Sequence, residues 1–80
     1  MTYSIQHFTL LSTGNDGGHH YLSSYIDYQE QRRKLVVFFA HKADEQKIRT
    51  ATKVTVTGNL MDEGPQHSLH MLEAVLLEWE

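Results

Sequence analysis

The sequence predicts a small, mainly β domain, and three stretches carry that prediction. Residues 35–40 form the longest apolar run, which is rich in β-branched and aromatic types and typical of a strand covered on both faces. Residues 53–60 alternate polar and apolar side chains, which indicates a half-buried strand. Residues 13–18 combine three glycines with Asn and Asp, a composition typical of a turn between strands.

Length and composition indicate one domain over residues 1–80, with a single modest core. The hydrophobic content of 40% and the charged content of 21% are ordinary for a folded chain. The absence of cysteine excludes disulfides and thiolate zinc sites. No apolar run approaches the ~18 residues of a membrane span, and no charged leader precedes an apolar block. We therefore expect a soluble cytoplasmic protein without membrane association.

The net charge of −3 hides a strong asymmetry along the chain. All seven Lys and Arg residues lie between Arg32 and Lys53, a segment that contains only two acids. The other eight acids lie in the two flanking segments, which contain no Lys or Arg. This pattern predicts a local basic stripe that could contact phosphates, or opposite charges that face one another across the fold.

The first half of the chain indicates three strands. Residues 3–12 read as a strand whose apolar parity changes near Gln6 and His7, where a β-bulge would restore the phase. Residues 19–29 fit a helix or a strand, but three tyrosines, an isoleucine and the preceding turn favour the strand. Residues 29–33 are polar and would form the hairpin end that leads into the apolar strand.

The second half predicts a short helix and two more strands. Residues 43–51 are good helix formers with acids in the first turn and bases later. Gly58 takes an inward position of the strand at 53–61, which indicates a bend or a close backbone approach. Residues 68–79 could be helical, but the short preceding turn favours a strand. On such a strand Leu69 and Met71, then Val75, Leu77 and Trp79, would hold one parity, with Glu73 out of place.

Three strands, a short helix and two strands together resemble the OB-fold barrel. Residues 53–60 are similar to its fourth strand with a glycine, and residues 68–75 to its closing fifth strand. The parity change near Gln6 and His7 corresponds to a bent first strand. The resemblance implies a closed or nearly closed five-stranded barrel that binds single-stranded nucleic acid or another protein. The alternative folds are an SH3-like barrel, or an α+β sheet if residues 19–33 or 68–79 are helical.

The candidate binding residues come from the predicted second and third strands. Exposed aromatic side chains on an OB face stack on bases, while basic side chains follow the phosphates. The candidates are Tyr21, Tyr25, Arg32, Arg33, Lys34 and Lys42. The tyrosines share the outer parity, and the three consecutive bases would lie at the hairpin tip. Alternatively, the tyrosines pack on a loop or on a second copy, in a protein-interaction or homo-oligomeric subunit that binds no DNA or RNA.

The sequence predicts neither a metal site nor an enzyme. On strands, adjacent His19 and His20 point to opposite faces, as do His67 and His70 with their odd spacing. No H-E-x-x-H arrangement occurs, so we expect no metal and no other cofactor. The serines lack a nucleophile-elbow context, and acid pairs such as Asp62 and Glu63 lie in a turn.

The strand at 35–40 also needs a cover on each face. Leu35, Val37 and Phe39 hold one parity, and Val36, Phe38 and Ala40 hold the other. Only one parity can fill a narrow barrel. The other requires the helix, the C-terminal segment with Trp79, or a second subunit.

Overall fold

A computed structural model describes residues 1–13 and 18–80, which form six strands and one short helix. The elements are β1 (Thr2–Ile5), β2 (Phe8–Thr13), β3 (His19–Tyr28), β4 (Gln31–Phe39), α1 (Lys42–Lys47), β5 (Val54–Met61) and β6 (Leu69–Trp79). The mainly β prediction with one short helix is confirmed, and residues 19–28 and 69–79 are strands. The turn predicted at residues 13–18 lies largely outside the described residues.

The strands form one mixed sheet that curls into a half-barrel. Their order is β1-β5-β6-β4-β3-β2, and β4 and β6 are the parallel pair. β1 and β2 lie at opposite ends of this order, although only Gln6 and His7 separate them in the chain. The two ends of the sheet therefore meet at this corner. The parity change marks a complete break between two strands rather than a bulge, which is why there are six strands and not five.

The apolar run at residues 35–40 lies in the middle of the sheet, because β4 pairs with both β3 and β6. Leu35 and Val37 are fully buried in the interior of the half-barrel. The other fully buried large side chains are Leu22, Ile48, Val54, Val56, Leu69 and Met71. Each such side chain contributes roughly 1.5–3 kcal/mol through the apolar surface it removes from water.

The helix is joined to two strands by buried carboxylates. The Asp44 carboxylate accepts a hydrogen bond from the Leu76 backbone N–H at 3.1 Å, and Glu45 accepts one from the His20 N–H at 2.6 Å. Ile48, just after the helix, is fully buried in the core. The helix ends at Lys47, earlier than predicted, and turn residues follow it through Thr50. With six residues, this helix is far too short to cross a bilayer, and the described part of the chain has no other.

β6 contains a bulge at Glu73, the residue that breaks the inward parity in the sequence. Glu73 has φ 54, and the β5–β6 register shifts between Thr57 and Asn59. The extra residue changes the phase, so Ala74 and Leu76 point inward and are buried. The sequence grouped Leu77 and Trp79 with Leu69 and Met71 on one parity, but Leu69 and Met71 are fully buried while Leu77 and Trp79 are 51% and 48% exposed.

The β3–β4 hairpin turns earlier than predicted. Gln29 and Glu30 form a two-residue loop with φ values of 50 and 65, and Tyr28 pairs with Gln31. Two positive φ values are typical of the type I′ turn that suits tight hairpins. The hairpin end was predicted at residues 29–33, but β4 already begins at Gln31. The three consecutive bases that follow are therefore strand residues with alternating directions.

Gly58 leaves no room for a side chain, as its inward position in β5 predicted. A Cβ atom there would lie 2.7 Å from Met71 Cγ and 3.0 Å from Ala74 Cα. We expect Gly58→Ala to lower the free energy of unfolding by about 1–3 kcal/mol, because the buried neighbours must shift. Urea unfolding followed by circular dichroism measures this loss. Asn59→Ala, at the next and exposed position, should change the unfolding free energy far less.

Candidate nucleic-acid interface

The outer faces of β3 and β4 form one surface that carries aromatic and basic side chains. Tyr25 lies directly opposite Lys34, and Ser23 lies opposite Val36. Directly opposite residues of paired strands point to the same face, so these side chains share one surface. Along the other edge of β4, His70 of β6 is the register partner of Val36, so it points to the same face.

An aromatic cluster forms one end of this surface. The rings of Tyr21 and Phe38 are stacked, with centroids 5.2 Å apart and planes 23° apart. The His70 ring meets the edge of Phe38 at 5.9 Å. We call Tyr21, Tyr25, Lys34, Phe38 and His70 the aromatic face. Its exposure is substantial, because Tyr25 is 59% and Phe38 is 38% accessible.

Neither the helix nor the C-terminal segment covers the aromatic face. The helix is fixed by Asp44 and Glu45 to Leu76 and to His20. Trp79 lies at the far end of β6 with the Lys47 ammonium 4.6 Å from its ring centroid. Phe38 is therefore left open on the outer side of the central strand. Exposed apolar side chains extend this surface along β6 and β5, namely Leu72 and Met61.

The charge of the aromatic face is basic. It contains Lys34 and no Asp or Glu, and Lys34 has no ion-pair partner among the residues that the structure describes. Arg32 borders the face and lies 3.5 Å from Asp27 on the neighbouring strand. Both side chains of that pair are largely exposed, so their attraction is weak and can exchange for another anion.

Arg33 lies on the opposite side of β4 and is buried. Its guanidinium donates hydrogen bonds to Asp62 Oδ1 at 3.0 Å, to the Gly64 carbonyl at 2.6 Å and to the His67 carbonyl at 2.8 Å. Its Cζ also lies 5.9 Å from the Tyr28 ring centroid. These contacts tie the loop between β5 and β6 to the central strand. The Gly64 N–H and then the Arg33 guanidinium lower the pKa of the Asp62 carboxyl, because both bond to its charged form.

The structure thus divides the six predicted residues into groups. Tyr21, Tyr25 and Lys34 share the aromatic face, and Arg32 lies at its border. Arg33 is separated from them by strand parity. Lys42 begins α1, is 50% exposed, and holds its Nζ 4.0 Å from Glu45 Oε1.

Two members of the aromatic face did not emerge from the sequence as binding residues. Phe38 has the same parity as Lys34, so the alternation of β4 could have revealed it. His70 joins the face only because β6 runs parallel to β4, with His70 opposite Val36. Local sequence contains no signal for that long-range pairing.

The remaining histidines do not form a ligand cluster. His19 Nδ1 lies 3.8 Å from Glu45 Oε1, while His20 Nδ1 is buried and has no hydrogen-bond partner among the residues that the structure describes. Across residues 1–13 and 18–80, no three His, Asp or Glu side chains converge in a way that could hold a metal ion.

Comparisons with protein-family models, with curated proteins and with solved structures find no match for this chain. The functional assignment therefore depends on the geometry and chemistry of the aromatic face.

Proposed function

We propose that this chain is an OB-fold module that binds single-stranded nucleic acid on its aromatic face. The OB assignment is supported by the element order when β1 and β2 are taken as one bent strand, with the helix between the third and fourth strands. In OB barrels the second and third strands form the ligand face, between the loop joining strands one and two and the loop joining strands four and five. The corresponding strands here are β3 and β4, which carry Tyr21, Tyr25, Lys34 and Phe38.

The observation that carries the proposal is the exposed stacking surface beside Lys34, which has no ion-pair partner in the described part of the chain. Stacking of a base on an aromatic side chain contributes roughly 1–3 kcal/mol and tolerates any base. Tyr21 and Tyr25 are four residues apart on one strand face, which separates them by about 13 Å. This distance lets two nucleobases stack at separate positions, while Lys34, opposite Tyr25, contacts a phosphate at that end of the face.

The small number of Lys and Arg side chains near the aromatic face sets the expected salt dependence. Each neutralised phosphate of a single strand contributes a slope of about −0.7 to log K against log salt. With Lys34, Arg32 and Lys42 as the available cations, we expect a slope between about −1 and −2. Binding should consequently depend more on stacking than on charge, which agrees with a chain whose net charge is −3.

The proposal is tested by titrating fluorescently labelled oligo-dT and oligo-rU, about 16 nucleotides long, at increasing salt. We expect saturable binding of single strands at low salt, and much weaker binding of a duplex of equal length. The preference between DNA and RNA comes from the same experiment. If neither single strand binds at the lowest salt, where phosphate contacts are strongest, the proposed function is wrong.

Lys34→Met should make the salt slope less steep by about 0.7 and weaken binding at low salt, because one phosphate contact is lost. Its matched control is Arg49→Met, which removes one positive charge at an exposed position after α1. If both variants change the slope equally, the effect arises from net charge and Lys34 is not a specific contact.

A protein-interaction role is the second candidate function, and the free edge of β2 is the observation that favours it.

A further inference from the structure

β2 forms an unprotected edge of the sheet. It pairs with β3 along one side, and along its other side no backbone partner exists among the residues that the structure describes. Its sequence, Phe-Thr-Leu-Leu-Ser-Thr, has neither charge nor proline. Natural edge strands are usually protected by lysine, proline, a bulge or a covering loop. An uncharged edge of six residues is therefore a template for another strand.

We propose that this edge pairs with the β2 edge of a second copy of the chain, in an antiparallel arrangement about a two-fold axis. The axis would pass through the centre of Leu11, so that Leu11 of the two copies face each other and Thr9 faces Thr13. Facing residues then share the same parity, which keeps each barrel interior on one side of the joined sheet.

The strand itself favours a second copy as the occupant. The net charge of −3 would oppose self-association, but none of it lies on β2, so the seam brings no like charges together. Opposed Thr–Thr and Leu–Leu pairs are favourable across antiparallel strands. Leu11 is only half-buried, so the pairing covers apolar surface that the monomer leaves accessible.

The edge of β1 is a poorer candidate for this pairing. It has four residues, and short edge strands are themselves a protection against pairing.

The pairing would also extend the aromatic face. Leu11 is the register partner of Tyr21, so the seam places the Tyr21 strands of the two copies three strand spacings apart, about 14 Å. This consequence rests on the proposed function, whereas the pairing itself does not. A seam of five residues buries less surface than a permanent dimer requires, so we expect a reversible, concentration-dependent dimer.

Charge substitution on the seam tests the pairing by sedimentation velocity, from low to high micromolar protein. One variant carries Thr9→Lys and Thr13→Lys, and a second carries Thr9→Glu and Thr13→Glu. We expect the unmodified chain to dimerise with concentration, and each variant alone to remain monomeric. An equal mixture of the two variants should dimerise again, because Lys then faces Glu. A general loss of stability could not produce this rescue.

Thr2→Lys with Ser4→Lys on β1 is the control and should leave dimerisation unchanged. If a double variant fails to fold by circular dichroism, Leu11→Lys and Leu11→Glu supply the same comparison at the half-buried position that faces its own counterpart. The proposal is wrong if the unmodified chain is monomeric throughout, if the charged variants dimerise as it does, or if their mixture stays monomeric. Oligonucleotide binding by a strictly monomeric chain would overturn the pairing and leave the proposed function intact.

Discussion

Tyr21→Ala and Phe38→Ala are each expected to weaken binding of a single-stranded oligonucleotide by roughly 5- to 150-fold. The two rings form the stacked pair at one end of the aromatic face, and a base stacked on a ring contributes roughly 1–3 kcal/mol. Their losses should not add fully, since removal of one ring also changes the position of the other. Fluorescence anisotropy at fixed low salt measures the change in Kd.

The matched controls separate stacking from folding. Tyr21→Phe keeps the ring and should bind within a few-fold of the unmodified chain. Trp79→Ala removes an aromatic side chain of comparable exposure far from the aromatic face, and it should leave the Kd unchanged. Loss of binding in Trp79→Ala, or unchanged binding in Tyr21→Ala and Phe38→Ala, would show that the aromatic face is not the ligand site.

Arg33→Met should lower the free energy of unfolding by roughly 2–3 kcal/mol, although it keeps the aliphatic part of the side chain. The guanidinium makes three hydrogen bonds in a buried position, one of them to a carboxylate. Hydrogen bonds that involve a charged group contribute about 1.5–3 kcal/mol, and the two loop carbonyls regain part of their loss from water. Urea unfolding measures the difference, and Trp79, the single tryptophan, provides the fluorescence signal.

Comparison with Lys34→Met distinguishes an anchor from a ligand contact. Arg33 and Lys34 are adjacent in sequence, but their side chains lie on opposite faces of β4. Arg33→Met should reduce stability and preserve the salt slope of oligonucleotide binding. Lys34→Met should preserve stability and make the salt slope less steep. A reduced slope in folded Arg33→Met would mean that Arg33 contacts phosphate despite its burial.

The Asp62 contacts also predict a dependence of stability on acid pH. Because the folded pKa of Asp62 is lowered from its ordinary value of 3.8, the carboxylate stabilises the fold above that value. This contribution is lost as the pH falls below 3.8 and through the lower folded pKa. Urea unfolding from pH 6 to pH 2 should show this loss of unfolding free energy in the unmodified chain. In Asp62→Asn the contribution of this carboxyl to the loss should be absent. Arg33→Met should retain part of it, because the Gly64 N–H remains in place.

Much of the strand architecture was predictable because it follows from local alternation of side chains. The parity change at Gln6 and His7 located the break between β1 and β2, and the misplaced Glu73 located the bulge in β6. Gly58 indicated a close backbone approach, which Met71 and Ala74 now explain. The hairpin end was misplaced because Gln29 and Glu30 adopt positive φ without glycine, so their residue types do not indicate a tight turn.

The candidate site was only partly predictable, because a surface combines residues from several strands. The common face of Tyr21 and Tyr25 follows from their spacing within one strand. The burial of Arg33 could not be predicted locally, because its hydrogen-bond partners, the carbonyls of Gly64 and His67, lie in a loop that is distant in sequence.

For the apolar run at residues 35–40, the sequence by itself determined that it is a strand with two apolar faces, because side-chain alternation and β propensity are local properties. Only the tertiary structure decided which face is covered. The curled sheet places Leu35 and Val37 in the interior. The helix is bound through Asp44 and Glu45 to other strands, so Phe38 stays exposed beside Tyr21 and His70. Burial depends on which distant strands pair with β4, and that pairing is set by contacts across the whole fold.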